Sequence, residues 1–334
     1  MPAFKKNVVV EVARGIRAYL NLEAGVTRRS LASLRWGKAA EAGAEAGGIN
    51  PENVVWIFGS GRSGSTWLSS MMEEIDGHAL WGEPWVGALF GNYYYRAVDK
   101  RLHKDPQFIM GLHREAWLGS IRHLILNSAR ANFPALSRDE YLTIKEPNGS
   151  IGAPLMMEAL PESRMVFLVR DPRDVVASSM DARSEGGWNH ERHKEQYLKG
   201  RQVTSDQDPD AFVKKRAKRY VETMGKAKEA YDAHKGPKTL VRYEELRADT
   251  LGTMRRMYSA LGIMVNEADL AGSVKKHSWE NIPAEEKGEG KFYRKATPGG
   301  WSEDLTPEQA ETVGKITAPF LSEYYAEGRL SSSR

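Results

Sequence analysis

No cysteine occurs in the 334 residues of this chain. Disulfide bonds, thiolate nucleophiles and cysteine-ligated metals are therefore excluded. No apolar run reaches the 18 residues of a membrane-spanning helix. The N-terminus lacks the short apolar core of a secretory signal, so a cytoplasmic protein is expected. Excess charge is small as well, 48 Lys and Arg against 44 Asp and Glu for a formal net charge of +4. That balance favours anionic ligands without demanding nucleic acid. Zinc-finger spacing, an RNA-binding aromatic motif and a long basic tract are all missing, and no nucleic-acid partner is expected.

What positive excess there is lies at one end. Residues 1–40 hold eight Lys or Arg and two acidic residues. Val8, Val9, Val12, Ile16, Tyr19 and Leu20 recur there at near-helical spacing, which gives an amphipathic helix with a basic face. It reads either as a helix packed on the main domain or as a peripheral contact for a membrane or partner. Residues 39–50 are rich in Ala, Gly and Glu and read as a linker. An arm and linker over 1–50 and a single domain over 51–330 are expected, the 41% hydrophobic content being enough for a full core.

The main domain opens on its most informative stretch. Val54 to Phe58 is an apolar run with β-branched and aromatic residues, the pattern of a strand buried on both faces. Gly59, Gly61 and Gly64 follow and allow backbone angles closed to other residues, so main-chain N–H groups can converge on an anion. Ser65, Thr66 and Trp67 lead into a helical segment, Leu68 to Ile75, and hydroxyls in a first helical turn suit a phosphate. The spacing Gly59-x4-Gly64-Ser65-Thr66 mimics a Walker A loop, but Ser65 stands where the nucleotide-binding lysine belongs. The cation sits three places earlier, at Arg62. This argues against an ATPase or GTPase and for a loop that holds a phosphate ester differently. An ordinary Gly-rich turn is the other reading.

Further strands are expected at His78–Trp81, Tyr141–Lys145, Arg164–Val169 and Thr239–Arg242. Helical segments alternate with them, within 86–140 and at Val175–Met180, Ala211–His234 and Leu251–Leu261. Such alternation predicts an α/β domain with a parallel sheet. Glu83, in Gly82-Glu83-Pro84-Trp85, follows one strand, and a carboxylate at a strand's C-terminal edge faces the crevice where such sheets bind ligands. A solvated turn glutamate is the alternative. Glu146-Pro147 follows another strand, with Glu146 read as a turn residue. Arg170-Asp171-Pro172 follows a third, with Asp171 as helix N-cap and Pro172 in the first turn. Tyr93, Tyr94 and Tyr95, with Trp81 and Trp85, either pack in the core or line an acceptor pocket. The polar stretch 182–208 reads as a lid or acceptor loop, and its His190 and His193 as solvated side chains rather than metal ligands.

The run Arg62-Ser63-Gly64-Ser65-Thr66-Trp67 resembles the 5′-phosphosulfate loop of sulfotransferases that use 3′-phosphoadenosine-5′-phosphosulfate (PAPS). The resemblance implies that Arg62 and the hydroxyls hold the 5′-phosphate and that Trp67 stacks on adenine. Arg170 and Ser178, eight residues apart, match the family's 3′-phosphate ligands, a contact that suits bidentate, charge-assisted arginine. Tyr243 matches a tyrosine that contacts adenine. His277-Ser278-Trp279 is similar to a Ser-Phe stretch beside the adenine. Arg294 and Lys295 match further 3′-phosphate ligands in an Arg-Lys-Gly-x-x-Gly-Asp-Trp loop, although Ala296, Gly300 and Ser302 depart from that pattern.

Glu83 lies 21 residues after Arg62, the offset of the catalytic glutamate in tyrosylprotein sulfotransferases, and Lys145 matches the lysine of their Lys-Asp-Pro. The histidine base of the cytosolic branch has no counterpart here. The site pattern thus resembles the carbohydrate and tyrosylprotein branches more than the cytosolic one. Taken together, the resemblance implies a P-loop-like three-layer α/β sandwich with a central parallel sheet. It also implies sulfuryl transfer from PAPS, without a metal, to a small-molecule or glycan hydroxyl, with release of adenosine 3′,5′-bisphosphate (PAP). Glu83 would be the general base, with Arg62 and Lys145 the other catalytic residues. A P-loop kinase or NTPase and a non-catalytic nucleotide-bisphosphate binder remain as rival readings.

Overall fold

A computed structural model describes residues 48–183, 208–288, 290–291, 293 and 295–326. The expected arm, most of the expected lid with its two histidines, and Arg294 lie outside the described residues. In chain order the elements that build the site are β1 Val54–Gly59, α1 Ser65–Glu73, β2 His78–Gly82, α2 Val86–Asn92, α3 Arg114–Asn132, β3 Tyr141–Lys145, α4 Ala153–Ala159, β4 Arg164–Val169, α5 Pro172–Arg183, α6 Pro209–Ala233 and β5 Lys238–Arg242. Helices α7 Tyr243–Ala248, α8 Thr250–Ala260 and α9 Glu267–Lys276 follow, and the chain continues through Trp301–Asp304, Pro307–Ile316 and Ala318–Tyr324. No described helix is long and apolar enough to cross a membrane.

The five strands form one sheet in the order β2-β3-β1-β4-β5, every pair parallel. Side-chain alternation divides the interior in two. Val54, Trp56 and Phe58 enter one core with Met165 and Phe167, under α3, α4 and α6. Val55 and Ile57 enter the other with Val166 and Leu168, under α1, α8 and α9. Every residue of β1 is buried, which is why the strand reads as a continuous apolar run rather than an alternating one. The three-layer α/β architecture follows from these two cores.

Helix α6 shows the same logic at helical period. Val213, Ala217, Tyr220, Met224 and Ala227 form its buried stripe, and Asp208 caps it by accepting from Asp210 N at 2.9 Å. Residues 86–140 are less uniformly helical than expected. Between α2 and α3 lie a π-turn, Tyr93–Ala97, and a 3-10 turn, Lys100–Lys104. Tyr94 stacks on His103 with ring centroids 4.0 Å apart and tilts on Trp117. Trp81 packs edge-on against Phe133. Trp81, Tyr94 and Tyr95 therefore pack against the core, while Tyr93 is partly exposed beside Phe108.

Candidate active site

All five strands end on the same side of the sheet, and each delivers one part of a single cleft there. β1 leads into the glycine loop, β2 into Glu83, β3 ends on Lys145, β4 is followed by Arg170, and β5 by Tyr243. The cleft has a volume of about 1100 Å³. Among the described residues, nine Lys and Arg side chains and two carboxylates, Glu83 and Asp174, line it. Asp174 is committed elsewhere, accepting from Gly299 N at 2.9 Å and Trp301 N at 3.0 Å. The cleft is thus strongly cationic and built for an anion.

The glycine loop is shaped by contacts at both ends. Gly64 has φ 88, and a Cβ there would come within 2.6 Å of the Tyr243 ring. At Gly61 a Cβ would meet Asn148 Oδ1 at 2.7 Å. Glycine is demanded at position 64, where φ is positive and a ring blocks a side chain, while at position 61 the Asn148 amide would have to move. Arg62 is itself left-handed, φ 74, a conformation that costs a non-glycine residue about 1–2 kcal/mol. Bonds that hold it include Arg170 Nη1 donating to Arg62 O at 2.9 Å and Arg62 Nε donating to Ser178 Oγ at 3.0 Å. Gly64 caps α1 without a side-chain acceptor, so the first-turn N–H groups are left to face a ligand. Ser65 and Thr66 begin that turn. The Ser63 side chain is fully buried and packs beneath the loop near Gly59.

A charged corner faces this helix end. Lys145 Nζ lies 3.0 Å from Glu83 Oε1 and 3.3 Å from Thr66 Oγ1. Asn148 Nδ2 donates to Glu83 Oε2 at 2.6 Å. Glu83 has φ 53 and Trp85 φ 61, and Glu83 N is tied to Lys145 O at 2.8 Å. Glu146 turns the other way. Its side chain is 1% exposed and faces the Val86–Ala88 backbone at the start of α2, with Oε2 buried and unpartnered among the described residues. Burial, with the Glu83 charge nearby, pushes its pKa up to about 8. The expected turn residue is a buried one, because α2 closes over it.

At the opposite end the aromatic residues gather. Arg170 lies 4.2 Å over the Tyr243 ring, and its Nε is buried with no partner among the described residues. Trp67 meets Tyr243 edge-on at 6.3 Å and donates through Nε1 to His277 O at 2.7 Å. Trp279 lines the cleft; Ser278 does not. Lys295 stands at the rim, paired with Glu303 at 2.7 Å and Asp304 at 3.2 Å.

Sequence reading missed Asn148, Arg216, Arg219 and Arg247, all on the cleft wall. Asn148 carried no local signal. Arg216 and Arg219 stand three residues apart beside the apolar stripe of α6, a spacing that could have marked a functional face. Arg247 lies 5.4 Å over Trp67.

The donor set fits PAPS. A helix N-terminus with hydroxyls and Arg62 suits the 5′-phosphosulfate, Arg170 with its partnerless Nε suits a phosphate, and the aromatic end suits a purine. Comparison with known proteins agrees. Residues 55–267, more than half the chain, match the family model described as the sulfotransferase family. Mouse sulfotransferase SULT7A1, solved complexed with PAP, superposes with a TM-score of 0.50 at 16% identity, over 82% of this chain and 86% of that one. Sulfotransferase STF9 from Mycobacterium avium superposes with a TM-score of 0.52 at 15% identity, over 83% and 78%. No curated protein sequence matches the chain. At such identities the superpositions speak for the fold, and the family match carries the assignment that sets the kinase and NTPase reading aside. The chain belongs to the sulfotransferase family, whose PAPS-dependent members move a sulfuryl group onto an acceptor.

Proposed function

We propose that this chain transfers the sulfuryl group of PAPS to a hydroxyl of a carbohydrate or glycoconjugate, with Glu83 as general base. One observation carries the reading: Glu83, Lys145 and Thr66 meet within hydrogen-bond distance at the N-terminus of α1. A base, a cation and the anion-binding helix end then surround one point. Lys145 and Asn148 each hold one oxygen of the Glu83 carboxylate, which fixes its direction before an acceptor arrives. Glu83 takes the proton of the hydroxyl as its oxygen bonds to sulfur. Arg62 and Lys145 steady the charge returning to the bridging phosphate oxygen as the sulfur–oxygen bond breaks.

PAPS is a co-substrate here. Arg170, Ser178 and Lys295 are proposed for its 3′-phosphate, the main chain from Ser63 to Thr66 for its 5′ end, and Trp67, Tyr243 and Trp279 for adenine. Trp85, 40% exposed on the cleft wall, offers a ring face to a sugar. Glu146 is no rival base, because α2 covers it. Thermal shift and turnover test the proposal. PAP should raise the melting temperature where Mg-ATP does not, and labelled PAPS should pass its sulfuryl group to glycan hydroxyls in an acceptor panel. Stabilisation by Mg-ATP alone, or transfer confined to phenols, would contradict it.

A further inference from the structure

Helix α6 sends a second group of cations into the cleft, at the end of the glycine loop away from Tyr243. Gly64 packs against the Tyr243 ring, whereas a Cβ on Gly61 would stand 2.7 Å from Asn148 Oδ1 and 3.6 Å from Arg216 Nη2. Asn148 in turn holds Glu83. Arg216 is therefore one amide side chain away from the proposed base.

Its own partners are neutral: Ser179 Oγ at 2.9 Å and Gly61 O at 3.3 Å. Burial, with the like charges of Arg219 and Arg62, pushes its guanidinium down to about 10, below the ordinary arginine range. Arg219 lies beside it on the same helix face. Its neighbour Glu222 is taken by Arg96, whose Nε donates at 2.6 Å, and Arg219 has no ion-pair partner among the described residues. The arrangement sets like charges together on the cleft wall, Arg216 half-buried and Arg219 exposed, with no ion pair to either among the described residues. Like charges so placed repel one another in the empty protein, and an entering anion relieves that repulsion.

We infer that Arg216 and Arg219 form an anion subsite at the acceptor end of the cleft. The acceptor then carries an oxyanion, as a carboxylate, phosphate ester or sulfate ester, beside the hydroxyl it presents to Glu83. This rests on the reading that Glu83 marks the acceptor end. The donor's own cations, Arg62, Lys145 and Arg170, stand along the loop and toward Tyr243.

Calorimetry on the full-length protein saturated with PAP tests the subsite, using inorganic sulfate, inorganic phosphate and acetate as probes. At least one of them should bind the wild type. Arg219→Gln, which has no ion pair to lose among the described residues, should weaken that binding about tenfold, as expected for one charge-assisted contact. Arg216→Gln should weaken it at least as much. PAP affinity, measured first, should stay within about twofold in Arg219→Gln. The tightest of the three probes identifies the group on the acceptor. Three results overturn the inference: no probe binds, sulfate binding survives Arg219→Gln but is lost in Lys145→Gln, or PAP affinity falls in step with probe affinity in Arg219→Gln. The second places the anion at the transfer point and the third assigns the arginines to the donor. If the wild type fails to bind PAP at all, the functional reading beneath the subsite falls and takes it along.

Discussion

Lys145 Nζ stands 3.0 Å from Glu83 Oε1, a contact between residues 62 apart in the chain. Parallel pairing of β2 with β3 brings them together, with Gly82 opposite Lys145 in the register. The lysine also reaches Thr66 at 3.3 Å, so it stands between the proposed base and the helix end that takes the donor. Lys145→Met keeps the length and removes the charge. Turnover with PAPS should fall by roughly 10²–10³, while PAP, which lacks the transferred group, should lose less than about tenfold in affinity. A variant with near wild-type turnover would remove Lys145 from the chemistry.

Gly64→Ala tests the shape of the loop. A side chain at φ 88 is strained, and its Cβ would press on the Tyr243 ring at 2.6 Å. Strain of this kind costs about 1–2 kcal/mol, and the ring cannot yield freely because Arg170 covers its face. A lower melting temperature and at least tenfold weaker PAP binding are expected. Wild-type PAP affinity would show that the contact does not set the loop.

Arg170→Ala should separate the two phosphates of PAP. If Arg170 meets the 3′-phosphate, losing a charge-assisted contact weakens PAP by about 1.5–3 kcal/mol and weakens 5′-AMP far less, through the Arg62 O and Tyr243 contacts alone. Calorimetry that finds equal losses for both nucleotides would contradict the assignment.

Glu146 gives a pH signature. Its folded pKa is raised from 4.5 to about 8, so the folded protein keeps a proton that the unfolded chain releases. Stability from this group is full below pH 4.5 and is lost as pH rises through about 8. Glu146→Gln cannot ionise, so its melting temperature should gain on the wild type across that window and run parallel above it. A pH-independent difference between the two proteins would show that Glu146 is ionised within the fold.

Much of this was legible because the signals are local. The glycine loop, the strand ends and the Arg170–Ser178 pair each lie within one short segment, and hydrophobic runs bounded by turn residues placed all five strands. What escaped reading depends on distant packing. Asn148 and Arg216 matter only because the 3-10 turn Pro147–Gly152 after β3 and helix α6 converge on Gly61. Glu146 looked like a turn residue until α2 closed over it. The tyrosine cluster was ambiguous, since aromatic packing and an aromatic pocket have the same composition. Ser278 followed a motif whose tryptophan, but not its serine, reaches the cleft.

The central claim is that Glu83 is the base for sulfuryl transfer. Its most direct test is the rate of labelled sulfuryl transfer from saturating PAPS to the best acceptor of the panel, compared among wild type, Glu83→Gln and Glu146→Gln. Glu83→Gln keeps the shape and should lower turnover by roughly 10²–10⁴ with PAP affinity nearly unchanged. Glu146→Gln should do far less. Near wild-type turnover in Glu83→Gln together with a collapse in Glu146→Gln would contradict the account.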